Sequence, residues 1–189
     1  SIPYPKKYYT DYARTKAMAE AYVLEKASDI TNEFTAVSLR PHLIWGPGDP
    51  HLIPRVLSQA RRGRLKVVGD GQNLVDIIHV TNAALAHTDA LKKLLDDSSI
   101  SGRSYFIGQE RPVKLWSFID DILKIKGLNP LDSTLGFKMA YSIGFILELL
   151  FKFLGILKPE PPMTRFVAMQ LAKSHYFSHK NAEKDFGYK

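Results

Sequence analysis

Thr35-Ala-Val-Ser-Leu39 runs directly into Arg40-Pro41-His42-Leu43-Ile44-Trp45-Gly46-Pro47-Gly48-Asp49-Pro50. The first five residues read as a short buried strand, and the Pro/Gly-rich segment as the loop that leaves it. Upstream, Asp11-Tyr12-Ala-Arg-Thr-Lys16-Ala-Met-Ala-Glu20 predicts a helix. Helix, strand and loop in that order predict an α/β sheet whose strand ends carry a binding site. Further on, strand-like runs at 65–68 and 74–80 are punctuated by Gly69-Asp70-Gly71, and Thr81-Asn82 opens the next helix.

Within the first helix, Tyr12 and Lys16 stand one turn apart and share a face. A cation fixed beside a phenol favours the phenolate, which makes such a pair suited to proton transfer near neutral pH. The plain alternative is a surface helix in which Lys16 pairs loosely with Glu20 and Tyr12 is a half-buried anchor.

Four segments in register carry a resemblance: Asp11-Tyr12 to Lys16; Leu39 to Pro50; Gly69-Asp-Gly-Gln-Asn-Leu-Val-Asp76 with His79-Val80 and Asn82; and Ser174-His-Tyr-Phe-Ser178 to Phe186-Gly-Tyr188. Together they span nearly the whole chain, which resembles the extended short-chain dehydrogenase/reductases. Within them it resembles the 3β-hydroxysteroid dehydrogenase branch, and most of all the decarboxylating sterol-4α-carboxylate 3-dehydrogenases. The resemblance implies the C-terminal part of a Rossmann-like fold with a small, mostly helical substrate-binding region. Such enzymes begin with a βαβ unit whose Gly-rich turn seats a dinucleotide pyrophosphate. That turn is not found here, and Gly46-Pro47-Gly48 follows the wrong strand and lacks an N–H at the proline. The chain is therefore expected to be one half of a protein of roughly twice the mass. Residues 1–100 are expected to complete the dinucleotide-binding domain, and 101–189 to form the substrate or lid region with one strand returning to the sheet.

The resemblance implies hydride transfer between NAD or NADP and a sterol or steroid-like lipid, at the 3β-hydroxyl/3-keto group. Tyr12 would be the catalytic acid and base. Lys16 would assist it and hold the cofactor, together with Pro41, His42, Leu43 and Ile44. Trp45, Arg165, His175 and Tyr176 would touch the substrate, although helix capping and cleft-wall packing explain the last three equally well. Reductases of long-chain 2-alkyl-3-ketoacids, sugar-nucleotide epimerases or dehydratases, and a non-catalytic lipid-binding fragment are the competing readings. A homodimer is implied in the same way.

Composition sets the remaining limits. The 189 residues, 45% of them hydrophobic, suffice for one domain or slightly more. The absence of cysteine excludes a disulfide scaffold and a thiolate metal site, and is compatible with the cytosol. No histidine or carboxylate spacing reads as a metal site: Asp76 and His79 fall on opposite faces of a strand, where structural hydrogen bonding is expected. A net charge of +7 invites nucleic acid or an anionic membrane. The one tight basic cluster, Arg61-Arg62-Gly63-Arg64-Leu65-Lys66, ends an expected helix over 51–62, where cations complement the dipole. No nucleic-acid motif accompanies it.

Residues 103–108 predict a strand, Leu115–Ile125 an amphipathic helix, 163–172 a helix, and 181–188 a short final helix. The stretch 137–157 is strongly apolar but interrupted by Lys138, Glu148 and Lys152. It reads as a lid helix over an apolar substrate, as an in-plane helix giving peripheral membrane contact, or as a bilayer span, which the charges argue against. Pro159-Glu-Pro-Pro162 is expected to break it. A cytoplasmic protein, free or associated with a membrane, is the corresponding expectation.

Overall fold

Thr10 opens the first helix, α1 (Asp11–Ser28), by accepting the Ala13 N–H on its hydroxyl at 3.1 Å. In the computed structural model, which describes residues 3–29, 31, 33–156 and 161–189, the architecture is α/β, as expected. The expected break at Pro159–Glu160 and the last residue of the apolar stretch, Leu157, lie outside the described residues.

After α1 come β1 (Ser38–Pro41), β2 (Ile44–Trp45), α2 (Leu52–Arg61), β3 (Val67–Val68), β4 (Leu74–Val75), β5 (Ile78–His79) and α3 (Val80–Asp96). A 3-10 turn at Ser98–Ile100 leads to β6 (Ser104–Ile107), β7 (Val113–Lys114), α4 (Leu115–Ile125), β8 (Thr134–Leu135), α5 (Phe137–Phe153), α6 (Arg165–Ala172) and α7 (Lys180–Phe186). The chain folds as two compact units that alternate along the sequence, 1–48, 76–111 and 177–189 in one, 49–75 and 112–176 in the other.

In the first unit, β1 pairs in parallel with β6, from Ser38 opposite Ser104 to Pro41 opposite Ile107, and β2 pairs in parallel with β5. Proline tolerates this place at the strand end because the missing N–H costs least there. Ile78, Ala83, Ala86, Ile100, Tyr105 and Ile107 form the core, with Val37, Leu39 and Phe186 packed on it. The alternation of β6, with Tyr105 and Ile107 buried between less buried neighbours, is the period-two pattern of a half-covered strand.

In the second unit, β3 pairs in parallel with β8, and β4 antiparallel with β7. Helix α4 buries Leu115, Trp116, Ile119 and Leu123, the spacing of one helical face. Each such side chain contributes about 1.5–3 kcal/mol by leaving water. The Trp116 indole N–H also donates to the Leu171 carbonyl at 3.1 Å, tying α4 to the end of α6.

One expected strand is two. Residues 74–80 divide into β4 and β5, because Asp76 between them turns a buried carboxylate onto the Phe177 N–H at 2.7 Å. The expected strand at 35–39 sits further on, at β1, and the 65–68 run narrows to β3.

Candidate active site

Helix α1 presents Tyr12, Lys16 and Glu20 at successive four-residue steps, and all three border one open cleft of about 770 Å³ in the first unit. Tyr4, Ser38, Arg40, His87 and Phe106 complete its polar and aromatic lining, and Pro41 also stands on it. Tyr12 is 75% exposed and Lys16 is exposed, so both side chains are open to solvent at the cleft.

Glu20 is not Lys16's partner. Its carboxylate accepts from Arg40 at 2.7 and 2.9 Å, from the Tyr4 hydroxyl at 2.9 Å and from the Ser38 hydroxyl. Burial pushes the Glu20 carboxyl up, but the hydrogen bonds from Arg40, Ser38 and Tyr4 outweigh it and hold the group below the usual carboxylate value. The Arg40 guanidinium in turn lies 5.0 Å from the Phe106 ring centre and 5.7 Å from that of Tyr4. Phe106 stacks on Phe177 at 4.0 Å, almost parallel. This cluster fixes α1 against β1 while leaving the Lys16 ammonium un-neutralised by its helix neighbour.

The segment from Pro41 to Ile44 leaves β1 at the edge of this cleft. Pro41 lines the cleft; His42, Leu43 and Ile44 do not. Leu43 has φ 43°, the left-handed region that a branched side chain rarely adopts, and its carbonyl accepts the Ile78 N–H at 3.3 Å. His42 meets the Phe177 ring edge-on at 5.8 Å, and Ile44 is 43% exposed. Trp45 packs edge-on against His79 at 5.1 Å and donates to Gln109 at 3.3 Å. Gly46 is required behind them, because a Cβ at its φ of 133° would stand 2.8 Å from the His79 ring. His79 itself caps α3, its Nδ1 accepting the Thr81 N–H at 3.3 Å. Among the described residues no cluster of His, Asp and Glu could hold a metal ion.

The other residues expected at the substrate belong to the second unit, where Arg165 and His175 are engaged by neighbours. Arg165 pairs with Glu148 at 2.7 Å, and its backbone N–H donates to the same carboxylate at 2.7 Å. Glu148, which interrupts the apolar stretch, thus accepts the first N–H of α6 beside the Thr164 cap. His175 bridges to Val75 through its backbone, and its Nε2 lies 2.9 Å from the Gln170 carbonyl oxygen. Tyr176 is 52% exposed. Reasoning from sequence missed Glu20 and Arg40 as site-building residues. The signal was Glu20's place one turn beyond Lys16 on the same face.

The profile of the 3-beta hydroxysteroid dehydrogenase/isomerase family matches residues 1–138. The chain belongs to that family. Relatives of this family member include a 2-alkyl-3-oxoalkanoate reductase of Stenotrophomonas maltophilia, 44% identical over 99% of this chain and 56% of the relative. The expected sterol relatives are also present, among them the decarboxylating sterol-4-alpha-carboxylate 3-dehydrogenase of Mus musculus, 33% identical over 100% of this chain and 52% of the relative. The chain spans about half the length of the curated relatives it matches. Among solved structures, UDP-glucuronic acid 4-epimerase from Bacillus cereus in complex with NAD superimposes with a TM-score of 0.65 at 18% identity, covering 100% of this chain and 48% of that one. That likeness shows the fold, a Rossmann-like α/β class.

Proposed function

We propose that this chain carries the tyrosine–lysine half of an NAD(P)-dependent oxidoreductase that interconverts the 3-hydroxy and 3-oxo forms of an apolar acid. The observation that carries the reading is the shared exposure of Tyr12 and Lys16 on one cleft, in a chain of this family. Bound NAD(P) supplies or takes up the hydride. Tyr12 donates its phenolic proton to the ketone oxygen in reduction and takes it back in oxidation. Lys16 places its positive charge beside that oxygen and the cofactor's hydroxyls, with Pro41 on the same lining and His42, Leu43 and Ile44 on the loop that runs on from it toward the cofactor. The fit rests on the cleft, where Lys16 and Pro41 stand on the same lining as Tyr12. Trp45, next along the loop, is the substrate-side contact.

A 2-alkyl-3-oxo acid is the first substrate choice, on the 44% identity of the bacterial reductase. A sterol bearing a 4α-carboxylate beside the 3-hydroxyl is the second, favoured by the family description and by the 33% identity of the mouse relative. The two share one chemistry: a carboxylate on the carbon next to the one that bears the reacting oxygen, so that the oxidised form is a β-keto acid able to lose carbon dioxide. Nicotinamide absorbance should be followed in the whole protein with both substrates. Turnover of the alkyl acid alone supports the first choice, turnover of the sterol supports the second, and turnover of neither rejects the proposal.

A further inference from the structure

Three consecutive buried residues, Asp76, Ile77 and Ile78, each hold a different part of the loop that leaves β1. The Ile78 N–H donates to the carbonyl of Leu43, the residue with a φ of 43°. The Ile77 carbonyl accepts the Gln109 N–H at 2.8 Å, and the Gln109 side chain in turn accepts the Trp45 indole N–H. The Asp76 carboxylate accepts the Phe177 N–H at 2.7 Å, and the Phe177 ring meets His42 edge-on while its face lies on Phe106 of the cleft lining. His42, Leu43 and Trp45 are thus all reached from one tripeptide.

Packing alone does not account for Asp76. Its Oδ1 is buried with no hydrogen-bond partner among the described residues, and His179 Nε2 stands 3.4 Å from Oδ2. Gly108 closes the space around that pair, since a Cβ there would meet the His179 ring at 2.8 Å and the Asp76 carboxyl carbon at 3.3 Å. A carboxylate sealed from water with acceptor capacity unused is costly. A left-handed Leu43 is costly as well, and it persists only where its surroundings over-determine it. Both costs fall on the segment that the proposed function sets against the cofactor. We infer that Asp76 is a positioning residue: acting through Phe177, and beside the backbone bonds of Ile77 and Ile78, it sets the loop 41–45 in the shape that receives NAD(P). The inference rests on the proposed function for the identity of the ligand, and on the geometry alone for the setting of the loop.

Fluorine NMR of the full chain carrying fluorotryptophan reads the loop without any activity, because its two tryptophans, Trp45 and Trp116, belong to different units. Trp45→Phe assigns the lines. Asp76→Ala should shift the Trp45 line and leave that of Trp116 in place. Asp76→Asn keeps an oxygen that can accept the Phe177 N–H, so it should return the Trp45 line to its parental position. In the whole protein, Asp76→Ala should raise KM for NAD(P) about tenfold or more, with kcat at saturating cofactor falling less, and Asp76→Asn should restore it. Phe177→Leu keeps the N–H on Asp76 but removes the ring that meets His42. It should produce the same two changes to a smaller extent, and it decides the inference if Asp76→Ala does not fold. The inference is overturned if a folded Asp76→Ala chain leaves the Trp45 line unmoved, if Asp76→Ala and Phe177→Leu both keep the parental KM for NAD(P), or if Asp76→Asn is as impaired as Asp76→Ala. A parent protein without turnover rejects the proposed function instead, and the fluorine lines then decide the setting of the loop by themselves.

Discussion

Arg40 on β1 grips Glu20 on α1 with two nitrogens, Nη2 and Nε, at 2.7 and 2.9 Å from the two carboxylate oxygens. The side chains are 21% and 12% exposed, so removing one partner strands a mostly buried charge. Glu20→Ala should destabilise the chain by on the order of 3 kcal/mol. A thermal melt beside an exposed control such as Glu25→Ala checks this, and a cost no greater than the control's would show that the pair does not hold α1.

The same pair gives a pH signature. Glu20's carboxyl sits below its ordinary value when folded, so its stabilisation is complete above that ordinary value, about 4.3, and is lost as pH falls through the folded one. The gap in melting temperature between the parent chain and Glu20→Gln should therefore narrow steadily from about pH 5 downward. A gap that widens in acid would contradict the assignment.

Gly144→Ala sets two effects against each other. Alanine in a helix interior normally gains up to about 1 kcal/mol over glycine. Here the new methyl would meet the Thr164 and Arg165 backbone at 2.6 and 2.7 Å, and neither is the end of a flexible side chain. Overpacking costs about 1–3 kcal/mol, so the variant should be net destabilised. Denaturant unfolding with an unchanged or raised midpoint would mean that α5 and α6 can part at no cost.

Tyr12→Phe should leave the fold intact, because the side chain is 75% exposed. In the whole protein its turnover should fall by about 10²–10⁴ with cofactor affinity nearly unchanged. Lys16→Ala should lower both. Steady-state kinetics and cofactor titration separate the two, and a Tyr12→Phe protein retaining most of its activity would remove Tyr12 from the mechanism.

Helices were legible in the sequence where their periodicity was strong. Leu115–Ile125 was read at its observed bounds, and α5 at its observed start, because apolar spacing and helix ends are local signals. Strands were less so. The 74–80 run hides a change of partner at Asp76, whose carboxylate answers an N–H at Phe177, far along the chain. The cleft shows the same division. Tyr12 and Lys16 could be placed together from their spacing alone, whereas the Glu20–Arg40 clamp joins a helix to a strand and needed coordinates. Arg165 shows the same limit: its spacing leaves substrate contact and helix capping equally open, and its pairing with Glu148 joins two helices.

The alternation of the two units has a practical consequence for anyone who would nick or recombine this polypeptide. A single cut at any point within 49–176 breaks the continuity of both units at once. A chimera that borrows one whole unit from a relative must be spliced at four joints, 48/49, 75/76, 111/112 and 176/177, and one spliced only near residue 100 should inherit neither intact.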